Sequence, residues 1–141
     1  MFMGEYNHTV DPKGRLIVPS KFREQLGSEF VVTKGLDGCL FVYPAEEWHN
    51  IEDKFRNISM TSKDARKFSR FFFAGAAAVE LDKQGRILLP PVLREYAYLE
   101  GEAHIIGMDT NLEIWNTELW NEENAQYTPE SVAAIMEELN F

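Results

Sequence analysis

Short apolar segments separated by turns occur in two similar sets along the chain. Segments 16–18 and 87–89 each contain three aliphatic residues, and a proline follows each of them. Aliphatic and β-branched residues favour extended backbone, and a proline cannot donate to a strand ladder. The predicted strands before these runs are 6–10 and 77–81. Each set therefore begins with two short strands, and the apolar run is expected to be buried.

Each set continues with a helix, a hairpin and a second helix. Pro19 and Pro90 suit the first turn of a helix, where a missing N–H costs nothing. The second helices are predicted to begin at Pro44 and Asn116. The remaining predicted elements are hairpin strands 30–33 and 39–43, hairpin strands 104–106 and 112–115, and the aromatic core anchors Trp48 and Trp120. These elements predict a mostly β protein with short helices, an α+β fold.

Two amphipathic helices are predicted outside the sets, over about 59–73 and about 129–139. Thr61 or Ser62 is expected to cap the first helix, which carries basic residues on one side. Those basic residues are Lys63, Arg66, Lys67 and Arg70. A solvated surface helix is the usual explanation, and a contact with phosphates is the alternative. The second helix has an apolar stripe and no cation, formed by Val132, Ile135, Met136 and Leu139.

The two sets are a repeat in sequence as well as in pattern. Segment 11–19 returns 71 positions later as 82–90, with Asp, Gly, Arg and Pro at matching places. A repeat of this length indicates a duplicated structural unit. We assign the units to 5–47 and 76–119. Because a unit this small is marginal with a core of its own, we expect both units to share one core.

Charge is distributed unevenly over the 141 residues, which carry a formal net charge of −9. Residues 1–70 contain 11 basic and 10 acidic residues, whereas residues 71–141 contain 3 and 13. Segment 54–70 has six basic residues against Asp64 alone. The total charge argues against a polyanionic partner, but this asymmetry permits a nucleic-acid surface on one side.

Several classes of protein are disfavoured by what the sequence lacks. No run of about 18 apolar residues is present to span a bilayer, and the start has no secretion signal, so a cytosolic protein is expected. Cys39 lies in an apolar run and is interpreted as a core residue. Phosphate-binding loops, a nucleophile elbow and zinc-ligand spacings are absent. We therefore expect a protein that is not an enzyme and that has neither a metal nor a cofactor, and no small-molecule ligand is evident from the sequence.

The repeated Asp-x-x-Gly-Arg turn carries the remaining chemistry. In one interpretation it is structural: Asp11 accepts hydrogen bonds from its own turn, or pairs with Arg15, to fix the loop. In the other, two arginines on rigid turns bind phosphates or hydrogen-bond to guanine in a major groove. Composition alone does not separate these interpretations.

The chain resembles the MraZ family of bacterial transcriptional regulators, which contain two tandem SpoVT-AbrB-type domains. The resemblance runs from the start Met1-Phe2-x-Gly4 through the Asp-x-x-x-Arg motifs at 11–15 and 82–86 to the last hairpin strand. One such motif alone is weak evidence. Two copies followed by an aliphatic run and proline, with a basic-aromatic linker and a tryptophan after each hairpin, are specific.

This resemblance implies a fold, an assembly and a function. AbrB-like units interleave into a swapped-hairpin barrel of double-psi type, which here would form from two repeats of one chain. The family forms ring-like homo-oligomers and acts on the promoter of the division and cell-wall gene cluster, at short repeated sites. The implied partner is double-stranded DNA, and the implied location is the cytoplasm, at the nucleoid.

The expected DNA contacts are concentrated in the first unit. They are Lys13, Arg15 and Arg23, with Arg86 as a weaker contact and Lys63, Arg66, Lys67 and Arg70 as backbone contacts. The residues assigned to structuring the turns are Asp11, Gly14, Asp82 and Gly85. The second unit has Gln84 and Val92 where the first has Lys13 and Lys21. We therefore expect the second unit to contact DNA less and mainly to complete the barrel or the ring.

Two other functions compete with this interpretation. AbrB-like folds also occur in antitoxins, so the acidic half with helix 129–139 is an alternative protein-interaction module. An enzyme on a related double-psi barrel is disfavoured because no nucleophile–base pair is evident.

Overall fold

The computed structural model describes residues 1–141 and contains eight strands and six helices, a mixed α+β fold. The strands are β1 (Glu5–Val10), β2 (Arg15–Ile17), β3 (Glu29–Lys34), β4 (Leu40–Pro44), β5 (Ala77–Glu80), β6 (Arg86–Leu88), β7 (Gly101–Met108) and β8 (Asn111–Asn116). The helices are α1 (Ser20–Leu26), α2 (Ala45–Arg56), α3 (Lys63–Ala74), α4 (Pro91–Tyr96), α5 (Thr117–Asn124) and α6 (Pro129–Glu138). No helix combines the length and the apolar character needed to cross a membrane.

Strands from the two repeats are interleaved in one antiparallel sheet with the order β1-β7-β8-β4-β3-β5. The first strand of each repeat pairs with the hairpin of the other: β1 pairs with β7, and β5 pairs with β3. The short strands β2 and β6 form a separate antiparallel ribbon, again with one strand from each repeat. Neither repeat completes a sheet without the other.

The main core lies between one face of the sheet and a layer made of the ribbon, α1 and α4. It is a cluster of 19 buried residues that draws on both repeats. The cluster includes Val32 and Ile105 of the sheet as well as Leu16 and Ile87 of the ribbon. The prediction that the two units share one core is therefore confirmed.

The opposite face of the sheet is covered by α2, α3 and α5. Tyr43 of β4 packs with Phe55 of α2 and Phe72 of α3. Trp115 of β8 packs with Trp120 of α5. The hydroxyl of Thr33 donates to the backbone carbonyl of Phe72 at 2.6 Å in this buried layer. Helix α3 and the β2–β6 ribbon therefore lie on opposite sides of the sheet.

The predicted helices are present, with shifted ends. The helix expected over 59–73 begins at Lys63, because Ser62 is its N-cap and accepts a hydrogen bond from the Ala65 N–H. Trp120 is buried, as expected for a core anchor. Trp48 is only partly buried, and it stacks on Phe72 with 5.7 Å between the ring centroids.

Candidate nucleic-acid interface

The first turn (residues 11–15) is organised by the carboxylate of Asp11. Its Oδ1 accepts hydrogen bonds from the backbone N–H groups of Lys13 at 3.0 Å and Arg15 at 2.8 Å. Arg15 Nε donates to Oδ2 of the same carboxylate at 2.6 Å. Gly14 has a φ of 87°, in the left-handed region that favours glycine. One carboxylate thus fixes both the backbone of the turn and the Nε of the Arg15 guanidinium.

The second turn (residues 82–86) has the same geometry. Asp82 accepts from the backbone N–H groups of Gln84 at 2.8 Å and Arg86 at 2.9 Å, and from Arg86 Nε at 2.8 Å. Gly85 has a φ of 76°. The two turns therefore hold their arginines in equivalent positions.

Hydrogen bonding lowers the pKa of both turn carboxylates below the ordinary value of 3.8. The backbone N–H of Arg15 is the largest cause for Asp11, and the backbone N–H of Arg86 is the largest cause for Asp82. Each bond favours the charged form of the carboxylate. Both turns are consequently held by ionised aspartates at neutral pH.

The guanidinium groups keep free hydrogen-bonding capacity. Arg15 and Arg86 use Nε within their own turns, and their terminal nitrogens make no hydrogen bond within the chain. Their side chains are 33% and 25% exposed. The structural role and the binding role considered for these turns are therefore compatible, because different nitrogens of each fork serve them.

Each turn rests on an arginine from the other repeat. Arg23 Nε donates to the Val18 carbonyl at 2.8 Å, and its guanidinium occupies the space that a β-carbon on Gly85 would need. Arg94 Nε donates to the Leu89 carbonyl at 3.1 Å, and its guanidinium lies against Gly14 in the same way. Arg23, predicted as a DNA contact, thus has a supporting position under the second turn.

Arg94 is a site residue that the sequence analysis missed. Its signal was present, because Arg23-Glu24 recurs as Arg94-Glu95 at the same 71-residue spacing as the turn motif. The backbone links the turns further: the N–H of Val18 donates to the Gly85 carbonyl, and the N–H of Leu89 donates to the Gly14 carbonyl, both at 2.9 Å. The two turns therefore form one rigid unit.

The register of the ribbon brings the two arginines onto one surface. Leu16 pairs with Ile87 and both point into the core, whereas Arg15 pairs with Leu88 and Ile17 pairs with Arg86. Because side chains alternate along a strand, the other four residues point outward. We call this outward surface the ribbon face; its members are Arg15, Ile17, Arg86 and Leu88.

Two aliphatic residues on the ribbon face contradict the sequence analysis. Ile17 and Leu88 were expected in fully buried runs, but they are 40% and 59% exposed. The prediction is wrong for these two positions because the ribbon is covered on one side only, so every second residue faces outward. The ribbon face consequently combines two cationic forks with two exposed apolar side chains.

The basic residues of α3 lie away from the ribbon face, in the layer on the other side of the sheet. Lys63, Lys67 and Arg70 are exposed, and Arg66 Nη1 donates to the Met60 carbonyl at 2.9 Å. None of the four lies within salt-bridge distance of a carboxylate. Lys13, by contrast, is exposed in the first turn, two residues before Arg15. The predicted basic residues therefore fall into two separate groups.

Comparison with known proteins assigns both repeats to one family. Residues 1–71 and 72–139 each match the family described as "MraZ protein, putative antitoxin-like". The chain belongs to the MraZ family. Each matched segment of this chain carries one Asp-x-x-Gly-Arg turn.

Similar proteins carry the same name over their whole length. A "Transcriptional regulator MraZ" from Thermoanaerobacter sp. (strain X514) is 54% identical over 143 residues, which cover all of both chains. Proteins of that name from Acetivibrio thermocellus and Desulforamulus reducens are 56% and 59% identical, covering 96% and 89% of each chain. The resemblance to MraZ drawn from the motifs is confirmed.

Proposed function

We propose that this MraZ protein is a sequence-specific DNA-binding transcriptional regulator that works without a cofactor, and that the ribbon face is its DNA-contacting surface. One observation carries the proposal: two arginines from two mutually supported turns lie at diagonally opposite corners of the outward face of a two-stranded ribbon. Relatives of similar length that share more than half of their residues with this chain are named transcriptional regulators.

The ribbon face has the chemistry needed to read a major groove. A two-stranded β-ribbon fits that groove, where an arginine fork hydrogen-bonds bidentately to guanine and an apolar side chain contacts the methyl group of thymine. Arg15 and Arg86 supply the forks, and Ile17 and Leu88 supply the apolar contacts. Because Asp11 and Asp82 fix the arginine Nε atoms in advance, little side-chain freedom is lost on binding.

The two halves of the ribbon face differ in their charged neighbours. Lys13 in the first turn corresponds to Gln84 in the second, and Lys21 of α1 corresponds to Val92 of α4. Lys13 lies in the same turn as Arg15 and strengthens its attraction to phosphates, while Arg86 lies in the acidic half. The first turn therefore supplies the main contact, and the second turn a weaker one.

Arg86→Ala is accordingly expected to weaken binding to a single promoter site less than Arg15→Ala does. Fluorescence anisotropy with a labelled duplex that carries one site measures both affinities under the same salt conditions. Equal losses for the two variants would refute the proposed asymmetry.

The proposed target is the promoter of the division and cell-wall gene cluster, recognised as short repeated boxes by a ring-like homo-oligomer. Each protomer of an acidic chain offers only a few phosphate contacts, which are individually weak and sensitive to salt. Tethered protomers meet neighbouring boxes at a high effective concentration. The protein would act in the cytoplasm, at the nucleoid.

Affinity is therefore expected to rise with the number of boxes, by about 100-fold or more from one box to two if two protomers bind together. Duplexes of equal length carrying one, two or three boxes, titrated at one salt concentration, test this expectation. Affinity that is independent of box number would contradict the tethering.

The interleaved strands support a more specific fold proposal. We regard 5–47 and 76–119 as two SpoVT-AbrB units that close into a swapped-hairpin barrel of double-psi type. The exchanges of β1 and β5 between the repeats, together with the mixed ribbon, favour this topology. In such a barrel, Arg23 has two tasks: it supports the second turn and presents its terminal nitrogens to the DNA backbone.

A protein-interaction module of antitoxin type remains the second candidate, and the exposure of α6 favours it. Binding to a promoter fragment at physiological salt separates the two functions. A specific DNA-binding protein still discriminates promoter from unrelated DNA at this salt concentration. A protein-interaction module is attracted to DNA only electrostatically, and that attraction falls steeply as salt is added.

A further inference from the structure

The first turn is supported at Gly14 by a side chain of the other repeat. A β-carbon on Gly14 would stand 2.6 Å from Cζ, 2.6 Å from Nε and 2.9 Å from Nη1 of Arg94. No other atom lies closer to that position. Because only glycine leaves room for such an approach, the guanidinium packs directly against the backbone of the turn. Arg94 therefore restricts where the turn that carries Arg15 can lie.

Leu89 connects Arg94 to the same turn through the backbone. The N–H of Leu89 donates to the Gly14 carbonyl at 2.9 Å, and the carbonyl of Leu89 accepts from Arg94 Nε at 3.1 Å. One residue of the second repeat is thus bonded both to the first turn and to the arginine that supports it. A displacement of Arg94 is therefore expected to displace the turn.

An open cleft of about 1080 Å³ lies between residues 9–12 and residues 91–101. Arg94 is the only basic residue that lines this cleft, and Glu95 and Glu100 line it as well. Because the cleft is open, removal of the Arg94 side chain would leave this side of the turn unsupported. The two glutamates also make the cleft unfavourable for a DNA phosphate.

The second turn has the corresponding support from the first repeat. Arg23 Nε donates to the Val18 carbonyl, and the Val18 N–H donates to the Gly85 carbonyl. The guanidinium of Arg23 packs against Gly85 as that of Arg94 packs against Gly14. The supports are therefore crossed, since each turn depends on an arginine from the repeat that carries the other turn.

We propose that Arg94 is the positioning residue for Arg15, the main DNA contact. By the same geometry, Arg23 positions Arg86. This inference rests on the proposed function, because it concerns how the two arginines are directed at DNA. Asp11 fixes Arg15 within its own turn, and Arg94 fixes that turn on the ribbon; a binding group has to be held within about 0.5 Å of its productive position. The acidic repeat is thus required for the stronger contact of the other repeat.

Double-mutant cycles on a labelled promoter duplex with one site test the crossed dependence by fluorescence anisotropy. Arg94→Ala is expected to weaken binding about as much as Arg15→Ala does. In the Arg94→Ala background, Arg15→Ala is expected to cost less than about 2-fold more, because the arginine is already misplaced. Arg86→Ala is expected to cost the same factor, within about 2-fold, in both backgrounds. Arg23→Ala is the matched control and should be coupled to Arg86→Ala but not to Arg15→Ala.

Two further measurements separate positioning from a direct contact of Arg94 with DNA. Arg94→Lys keeps the charge but lacks the planar guanidinium and its Nε donor, so it is expected to bind as weakly as Arg94→Ala. The slope of log affinity against log salt concentration is expected to stay at the wild-type value in Arg94→Ala, because only a lost phosphate contact lowers it by about one. Wild-type affinity in the lysine variant, or a slope lowered by about one, would overturn the inference.

Amide hydrogen exchange measured by NMR tests the positioning without DNA. In Arg94→Ala, the amides of the first turn are expected to exchange at least about 5-fold faster than in the wild type, while those of the second turn stay unchanged. Arg23→Ala is expected to show the reverse pattern. Circular dichroism checks the fold, and Arg94→Lys replaces Arg94→Ala in every measurement if the alanine variant is unfolded. Equal acceleration in both turns, or in neither, would contradict the crossed support.

Exchange and binding together separate this inference from the proposed function. If exchange shows the crossed pattern but the wild type does not discriminate the promoter duplex from unrelated DNA, the support of the turns stands and the DNA-binding function fails. If the wild type binds the promoter specifically but the losses of Arg94→Ala and Arg15→Ala multiply in the double variant, the function stands and the inference is wrong.

Discussion

Replacing Arg15 with alanine is expected to remove most sequence-specific DNA binding and to leave the fold intact. Loss of one bidentate base contact costs about 1–3 kcal/mol per site, or roughly 5-fold to 150-fold in affinity. On a promoter with several boxes the losses of the bound protomers multiply. The effect on folding is small by comparison, because the Arg15–Asp11 pair is partly exposed and such pairs stabilise little.

Arg56→Ala is the matched control for this experiment. Arg56 carries the same charge and pairs with Asp53 and Glu52 on α2, in the layer remote from the ribbon face. Anisotropy with promoter DNA and thermal unfolding are measured in parallel for both variants. Normal affinity for Arg15→Ala, or a large fall in its melting temperature, would contradict the role assigned to Arg15.

Leu16→Ala is expected to produce the opposite result, a large loss of stability through the core. Leu16 is completely buried in the ribbon, opposite Ile87 and within the core shared by the repeats. Truncating a buried leucine to alanine costs about 2–5 kcal/mol, from the lost apolar burial and the cavity that remains. Denaturant unfolding at a fixed protomer concentration measures the change in the free energy of unfolding.

Leu88→Ala provides the control for Leu16→Ala within the same ribbon. Leu88 is 59% exposed and lies on the ribbon face, so its truncation is expected to change stability by less than about 0.5 kcal/mol. If the ribbon face contacts DNA, this variant instead weakens promoter binding. Similar losses of stability for the two leucines would contradict the described register of the ribbon.

Much of the local structure follows from the sequence because the signals are local. The prolines after each aliphatic run, the turn glycines and the helix caps predict the strands, the turns and the starts of the helices. Asn116, for example, was predicted to open a helix, and its side chain caps α5 by accepting from the Leu119 N–H. The repeat in sequence also predicted that the two halves would be equivalent.

The pairing of strands between repeats is not encoded by such local signals. Tyr6 pairs with Ile105 in neighbouring strands. Hydrophobic periodicity describes only residues that are close in sequence, so it gives no signal for a pairing between residues this far apart. The exposure of Ile17 and Leu88 depends on the same tertiary fact, because it requires a ribbon covered on only one side. A run of three aliphatic residues looks the same in a strand buried on both faces.

The candidate site was only partly predictable for a related reason. The sequence identified Asp11 and Arg15 through the turn motif, but the support of each turn by Arg23 or Arg94 of the other repeat appears only in three dimensions. Likewise, the helical pattern of α3 revealed a basic side but not the layer in which that side lies.

The central claim is that the ribbon face reads a specific DNA sequence, and one binding measurement tests it most directly. The wild-type protein is titrated at physiological salt with the promoter fragment of the division and cell-wall cluster and with a fragment of the same length and composition in shuffled order. We predict tight binding to the promoter that persists at this salt concentration, and binding to the shuffled fragment that is weaker by at least about 1,000-fold, as is typical of specific regulators. Equal affinity for the two fragments, falling steeply as salt is added, would contradict the claim.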